Sequence, residues 1–299
     1  MSRKSIALVL GLGILIAGGW FISRQPFGDA GRSKAIPASS SETSGNFAAP
    51  SNKLLKSELN LSDLQAQAQS VMLVPSPSEM QHSLQKAGLS STLGKLISPE
   101  RKYLSMEVEN KDNLAVRIGV VLADLVLTVQ SSSKEEKLES LDKLKVGLTK
   151  LQAGGDIQST INEMKTEIKT GKLHNTDDLL KEFEELSGIM IPELEQEVGD
   201  WVVPLIQAGA WLEGTYLVST AIIQEQQFEM ADRLLRHPHI AEYFLGYVSR
   251  KGRDRTSDTV METLIEELKI LRKITHQEQI STEDVSVVQQ STNNVLELL

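Results

Sequence analysis

The chain has 299 residues, a formal net charge of -9 at pH 7 and no cysteine. An acidic chain lacks the basic surface that nucleic-acid binding requires, so nucleic acid is not expected as a partner. The absence of cysteine excludes disulfides, thiol catalysis, thiolate metal sites and a lipid-anchoring cysteine. Hydrophobic residues make up 40% of the chain, which is enough to form a substantial core.

The N-terminal segment is predicted to direct the chain to a membrane. Arg3 and Lys4 precede the uncharged run IALVLGLGILIAGGWFI at residues 6–22. An uncleaved signal anchor within residues 1–24, contacting the membrane through residues 6–22, is favoured. The alternative is a signal peptide cleaved after Gly19, where small residues cluster. Both predict export in a bacterial cell envelope: anchored in the inner membrane and facing the periplasm, or secreted to the periplasm if cleaved.

Residues 25–55 are predicted to form a flexible linker. The stretch QPFGDAGRSKAIPASSSETSGNFAAPSN is rich in serine, alanine, glycine and proline and has almost no periodic apolar pattern. Such a segment cannot bury enough surface to offset its ordering entropy. The remaining residues, 56–299, are predicted to form one extracytoplasmic domain.

Helical periodicity recurs throughout residues 56–299. Helices are predicted at 61–72, 74–88, 91–97, 112–131, 131–155, 156–170, 176–192, 195–224, 257–275 and 281–299. Residues 227–250 are predicted to form one or two shorter helices, interrupted at Pro238. The β-branched content of residues 112–131 leaves a strand pair there as an alternative. The predicted fold is therefore all-α: a single irregular bundle of about 8–11 mostly antiparallel helices, preceded by the N-terminal hydrophobic helix.

Capping residues and prolines predict where several helices begin and end. Ser133 with Glu136 forms a capping box, and Asp156 is expected to cap the next helix. Pro192 is expected to break or kink its helix, because proline lacks the backbone donor that the helix interior needs. Pro238 is expected to start a helix.

Two predicted central helices each contain one acidic residue within an apolar run. Residues 112–131 and 195–224 are apolar nearly all round, and they contain Asp124 and Glu213. An unpaired buried charge is very costly, so each acid is expected to be hydrogen-bonded, ion-paired or protonated. Gly209, one turn before Glu213, is expected to allow close approach of another helix or a ligand.

Three interpretations of these acids follow. The favoured one is structural, with each acid fixing helix register through a nearby partner. The second is an internal ligand pocket, for which the binding candidates are Asp124, Glu213, Trp211, Tyr216 and Arg117. The third is a hydrolytic or metal site with two carboxylates, although no nucleophile, base and orienting group can be assembled from the sequence.

Two other motifs are weak. GLSSTLGKL at residues 88–96 imitates a phosphate-binding loop, but the glycine spacing is one residue too long and Leu96 replaces the required serine or threonine. His237 and His239 flank Pro238, and without an accompanying carboxylate motif they are interpreted as part of a turn rather than metal ligands. No metal and no cofactor are therefore expected.

Three sequence elements carry a family resemblance. PSPSEM at 75–80, NLAVRIGVVLADLVLTV at 113–129 and AGAWLEGTYLV at 208–218 resemble a family of bacterial all-helical envelope proteins that has no established activity. The resemblance covers most of residues 70–299 and implies a helical fold and an envelope location. Members often carry a lipoprotein-type signal, whereas this chain has no cysteine to lipidate.

The favoured functional hypothesis is a membrane-tethered, extracytoplasmic scaffold or interaction module without catalytic activity, with another envelope protein as partner. The alternatives are a ligand-binding or sensing domain that uses Asp124 and Glu213, and a carboxylate-based hydrolase. The sequence does not predict an oligomeric state. A cavity shared by the two acids would favour ligand binding, and separate partners would favour a structural role.

Overall fold

The computed structural model describes residues 74–173, 176–249 and 258–299. These residues form ten α-helices and three short 3-10 helices, with no β-strand among them. The α-helices are α1 (Pro77–Lys86), α2 (Lys111–Thr128), α3 (Lys134–Lys150), α4 (Gly155–Thr170), α5 (Thr176–Glu197), α6 (Val202–Glu225), α7 (Ala231–Leu235), α8 (Pro238–Val248), α9 (Thr259–Thr275) and α10 (Thr282–Leu296). The 3-10 helices are Leu93–Lys95, Pro99–Tyr103 and Phe228–Met230.

The all-α prediction is confirmed for this part of the chain, and residues 112–128 are helical rather than a strand pair. The predicted N-terminal hydrophobic helix, the linker and the helix at 61–72 lie outside the described residues. Among the helices that are described, none has both the length and the apolarity needed to cross a membrane.

The α2–α6 pair forms the centre of the core. Both helices are buried over most of their length, and they make the most extensive helix contact in the described part of the chain. Their backbones meet at two glycines: a Cβ added to Gly119 would collide with the carbonyl of Ile206, and one added to Gly209 with the carbonyl of Val116. Glycine is required at this crossing because the neighbouring backbone occupies the space of a side chain.

The remaining helices are arranged around this pair. Consecutive helices from α2 to α6 each contact the next, so that α6 returns to α2. Helix α10 packs on α6, and α9 packs on both α8 and α10. The buried side chains form one continuous core. Helix α6 lies at its centre and contacts helices on several sides.

Of the two side-chain caps that the sequence predicts, one is present and one is not. Ser133 and Glu136 form the expected capping box on α3. Helix α4, however, starts after Gly154 without a side-chain cap of its own, so the predicted cap by Asp156 is wrong. Glu193 of α5 instead accepts a hydrogen bond of 3.1 Å from the backbone N–H of Ile157. A neighbouring helix thus supplies the acceptor that the local sequence was expected to provide.

The helix break that the sequence predicts at Pro192 occurs further along the chain, after Glu197. Helix α5 continues through position 192 to Glu197, with Met190 and Leu194 on either side of the proline both buried. Packing of these flanking residues compensates for the one hydrogen bond that proline removes. The chain turns instead at Gly199, whose φ is +124°, and α6 begins at Val202 rather than at residue 195. Pro238 starts α8 as predicted.

Candidate ligand-binding site

Glu213 of α6 is held in the core by an ion pair with Arg101. The Glu213 side chain is 0% exposed, and its Oε2 lies 3.2 Å from Nε of Arg101 on the 3-10 helix Pro99–Tyr103. Nη1 of Arg101 also donates a hydrogen bond of 2.9 Å to the carbonyl of Leu296 at the end of α10. Arg101 therefore joins the 3-10 helix, α6 and α10, while Oε1 of Glu213 has no hydrogen-bond partner.

Asp124 of α2 lies close enough to this ion pair to interact with both of its charges. Burial raises the pKa of Asp124 well above its usual range, and the charge of Glu213 raises it further. The positive charges of Arg101 and Lys143 act to lower the pKa of Asp124, but their effect is smaller and the pKa stays raised. Burial also raises the pKa of Glu213, against the opposing effect of Arg101. Burial and the charge of Glu213 therefore favour the neutral form of Asp124, whereas Arg101 favours the ionised form of Glu213.

A cavity of about 330 Å³ opens beside Asp124. Its walls come from the segment 94–101, from α2, from the turn between α2 and α3, and from α3. Asp124, Arg101, Thr128, Ser132 and Lys143 line it, whereas Glu213 lies behind Arg101 and does not. Oδ1 of Asp124 and Oγ of Ser132 are both buried and have no hydrogen-bond partner. The two residues line the cavity from different elements, and each has one buried polar atom without a partner.

The acidic residues at the α3 side of this cavity are engaged locally. Glu136 accepts a hydrogen bond of 2.8 Å from the backbone N–H of Ser133, as part of the capping box. Oε1 of Glu139 lies 3.1 Å from Nζ of Lys143. Because Glu136 and Glu139 already have local partners, Asp124 and Ser132 are the lining residues with unpartnered buried polar atoms.

The predicted binding residues separate into two groups. Asp124 and Glu213 are brought into one electrostatic cluster, as the ligand-pocket interpretation requires, but only Asp124 reaches the cavity. Arg117 lies elsewhere on α2, where its Nε donates to Oδ1 of Asn113 at 2.8 Å and its Nη1 to the carbonyl of Ser105 at 3.0 Å. These bonds tie the segment before α2 to its first turns.

Trp211 and Tyr216 also lie away from the Asp124 cavity. The ring of Trp211 packs against Phe244 of α8 with a centroid distance of 5.5 Å, and it lines a different, smaller cavity. Tyr216 is half-buried, packs against the core and lines neither of these cavities. The structure therefore does not bring these two aromatic residues together with Asp124.

Two residues of the site, Arg101 and Ser132, were not identified from the sequence. Arg101 stands in the polar segment SPERKY, where lysine and arginine are unremarkable at the surface, and Ser132 is the second serine of a turn-like SSS. The only sequence signal for Arg101 was indirect: a buried Glu213 requires a cation from some other part of the chain.

Comparisons of the chain with protein-family models, with curated proteins and with solved structures found no match. The family resemblance of the three sequence elements therefore stays a prediction. In the described part of the chain, no group of three or more histidine, cysteine, aspartate or glutamate side chains is placed to hold a metal ion. The described part of the chain is therefore all-helical, and its site combines a buried cluster of Asp124, Glu213 and Arg101 with an adjoining polar cavity.

Proposed function

We propose that this protein binds a small polar molecule in the cavity beside Asp124 and acts as a ligand-binding or sensing module. The observation that carries the proposal is the pair of buried, unpartnered atoms, Oδ1 of Asp124 and Oγ of Ser132, which belong to two residues that line the same cavity. Leaving such a group unsatisfied costs about 1–3 kcal/mol. A ligand that hydrogen-bonds to both atoms offsets that cost. If Asp124 had a purely structural role, both atoms would stay unsatisfied.

The protonation of Asp124 defines the chemistry of this ligand. A protonated carboxyl group donates one hydrogen bond and accepts others, and the hydroxyl of Ser132 does the same. Arg101 and Lys143 have carboxylate partners in Glu213 and Glu139, so the cavity floor carries little uncompensated charge. A neutral molecule with both donor and acceptor groups suits this floor best.

Binding is favoured over hydrolysis by the placement of Glu213. A hydrolase with two carboxylates requires both groups to face the reacting bond. Glu213 is fully buried behind Arg101, so of the two acids of the central helices only Asp124 lines the cavity. Glu136 and Glu139 also line it, but they are engaged with the backbone of Ser133 and with Lys143. The geometry therefore supports a binding function more directly than the two-carboxylate chemistry.

The cellular setting rests on the sequence. The hydrophobic run at residues 6–22 and the linker at 25–55 support a module that is tethered to a bacterial membrane and faces the periplasm. We propose this location together with the binding function, because a tethered domain in that compartment meets exogenous small molecules. The predicted envelope protein partner stays a prediction, since no surface feature of the described residues identifies it.

The binding proposal is tested by screening the full-length chain against neutral polar compounds, such as sugars, polyols and nucleosides, by thermal denaturation, with calorimetry on each stabilising compound. Asp124→Leu removes the polar group while filling similar space. We expect it to weaken binding at least tenfold and to raise the melting temperature, because an unsatisfied group leaves the core.

Asp200→Asn is the matched control for this experiment, since Asp200 is an exposed aspartate between α5 and α6. It should bind each compound as the unchanged protein does. A screen without any stabilising compound, or compounds that bind Asp124→Leu with unchanged affinity, would show that the cavity is not the site.

A further inference from the structure

A second cavity, of about 250 Å³, lies on a different side of α2. It is enclosed by α2, α5 and α6 and by residues 74–78 at the start of α1. Leu122 and Ala123 face this cavity, whereas the next residue, Asp124, faces the polar one, and the two cavities share no lining residue among those described. Helix α2 thus separates an apolar cavity from a polar one.

The walls that α2, α5 and α6 give this second cavity are almost entirely apolar, and Ser76 and Ser78 line it at the start of α1. Val126 of α2, Phe183 and Met190 of α5, and Ile206 of α6 contribute hydrocarbon surface, and no charged side chain stands among the described lining residues. An apolar cavity of about 150 Å³ already holds a small hydrocarbon such as benzene. The larger cavity therefore has room for a flexible alkyl chain, while the lack of charge disfavours a charged ligand group.

One polar side chain stands among the described lining residues of α2, α5 and α6. Gln207 of α6 lines the cavity, and its Oε1 is buried without a hydrogen-bond partner. The two ends of an amide group exchange donor and acceptor when the group rotates by half a turn. A ligand hydroxyl satisfies the amide in either orientation, because it both donates and accepts a hydrogen bond.

We propose that this cavity binds a single alkyl chain that carries a hydroxyl group, the chemical class that includes aliphatic alcohols and monoacylglycerols. The chain packs between α2, α5 and α6, and the hydroxyl pairs with Gln207. The site is independent of the polar cavity, so its failure in an experiment leaves the proposed polar-ligand function unaffected.

The proposal is tested by photolabelling the full-length chain with an alkyl alcohol that carries a diazirine in its chain, followed by peptide mapping. The expected adducts lie on the peptides of α2, α5 and α6 that contain Leu122, Phe183 and Ile206. 1-Octanol should compete with the label roughly tenfold better than 1-chlorooctane, because only the alcohol pairs with the buried amide.

Gln207→Leu and Ala210→Phe test whether the label binds in this cavity, and Gln224→Leu is the control. In Gln207→Leu the cavity keeps its apolar walls, so labelling persists but octanol and chlorooctane compete equally. Gln224→Leu replaces an exposed glutamine of the same helix and should keep the tenfold preference. Ala210→Phe fills the cavity and should abolish labelling of all three peptides, provided that its circular dichroism is unchanged; if it does not fold, the Gln207→Leu result decides alone.

Three outcomes overturn the proposal. The first is labelling that is absent or that octanol does not compete. The second is labelling confined to other parts of the chain, residues 6–22 included. The third is an alcohol preference that Gln207→Leu leaves unchanged.

Discussion

Arg101 provides the charge that allows Glu213 to stay ionised in the core. A charge left without its partner in a protein interior costs about 3–5 kcal/mol. We expect Arg101→Met to lower the free energy of unfolding by about 3 kcal/mol or more, because Glu213 would lose its ion-pair partner while fully buried. Chemical denaturation of the full-length protein measures this change.

The double variant Arg101→Met, Glu213→Gln supplies the control for that measurement. It leaves no uncompensated charge, so we expect it to be more stable than Arg101→Met alone. If the two substitutions instead destabilise additively, the ion pair is not coupled as the structure indicates.

The raised pKa of Asp124 makes the stability of the fold depend on pH. Since the pKa of Asp124 is higher in the folded state than in the unfolded state, the folded protein binds more protons between these two values. The stabilisation is complete below the unfolded pKa, near 4, and is lost as the pH rises through the folded pKa. Glu213, whose pKa is also raised, acts in the same direction.

Asp124→Asn should therefore flatten the decline of stability with pH. The unchanged protein is expected to lose up to about 1.4 kcal/mol per pH unit through this group within the window. Melting temperatures measured from pH 4 to pH 8 compare the two proteins, with Asp200→Asn as the control. Parallel curves for all three would mean that Asp124 is ionised in the folded protein.

At the scale of the elements, the α2–α6 crossing determines how tightly the core is packed. Gly119→Ala would place a methyl group against the backbone of Ile206, so the helices must separate. We expect a loss of about 1–3 kcal/mol in the free energy of unfolding, despite the better helix propensity of alanine. Thermal and denaturant unfolding both report this loss.

Gly246 offers the matched control within another helix. It lies in α8, and nothing would stand within 4 Å of an added Cβ. Gly246→Ala should therefore gain about 0.5–1 kcal/mol from helix propensity alone. Equal effects at the two glycines would contradict the close crossing of α2 and α6.

Local patterns predicted the elements better than their connections. The apolar runs around Asp124 and Glu213 identified both central helices, because periodicity and length are properties of a short window. Glu193 as the acceptor at the start of α4 could not be predicted, since it belongs to another helix. Likewise, the helical continuation through position 192 depends on the packing of α5 against its neighbours.

In the candidate site, too, the local features could be predicted from the sequence and the contacts between distant elements could not. A buried acid in an apolar helix predicted that Glu213 needs a partner, but the partner stands 112 residues away in sequence. The cavity beside Asp124 forms between α2, α3 and the segment 94–101, so its second polar atom, on Ser132, becomes visible only once these elements are placed together.

At the scale of the whole molecule, the predicted export through residues 6–22 can be tested directly. A reporter enzyme that is active only outside the cytoplasm, fused after Leu299, should be active in bacterial cells. Leu12→Arg with Ile14→Arg should abolish that activity, because arginine within a membrane segment costs about 2.5–3.5 kcal/mol per residue.

Ser40→Arg with Ser41→Arg places the same charges in the predicted linker and should leave the reporter active. An inactive reporter on the unchanged chain, with the fusion protein intact, would contradict the predicted export.

The most direct test of the account as a whole is the carboxyl resonance of Asp124 in carbon-13 NMR spectra of the full-length protein. Titrated without ligand, this resonance should show a protonated carboxyl at neutral pH. The strongest polar compound from the screen should then shift it while leaving the Asp200 carboxyl unchanged. An Asp124 carboxyl that is ionised at neutral pH and insensitive to every stabilising compound would contradict a ligand site in this cavity.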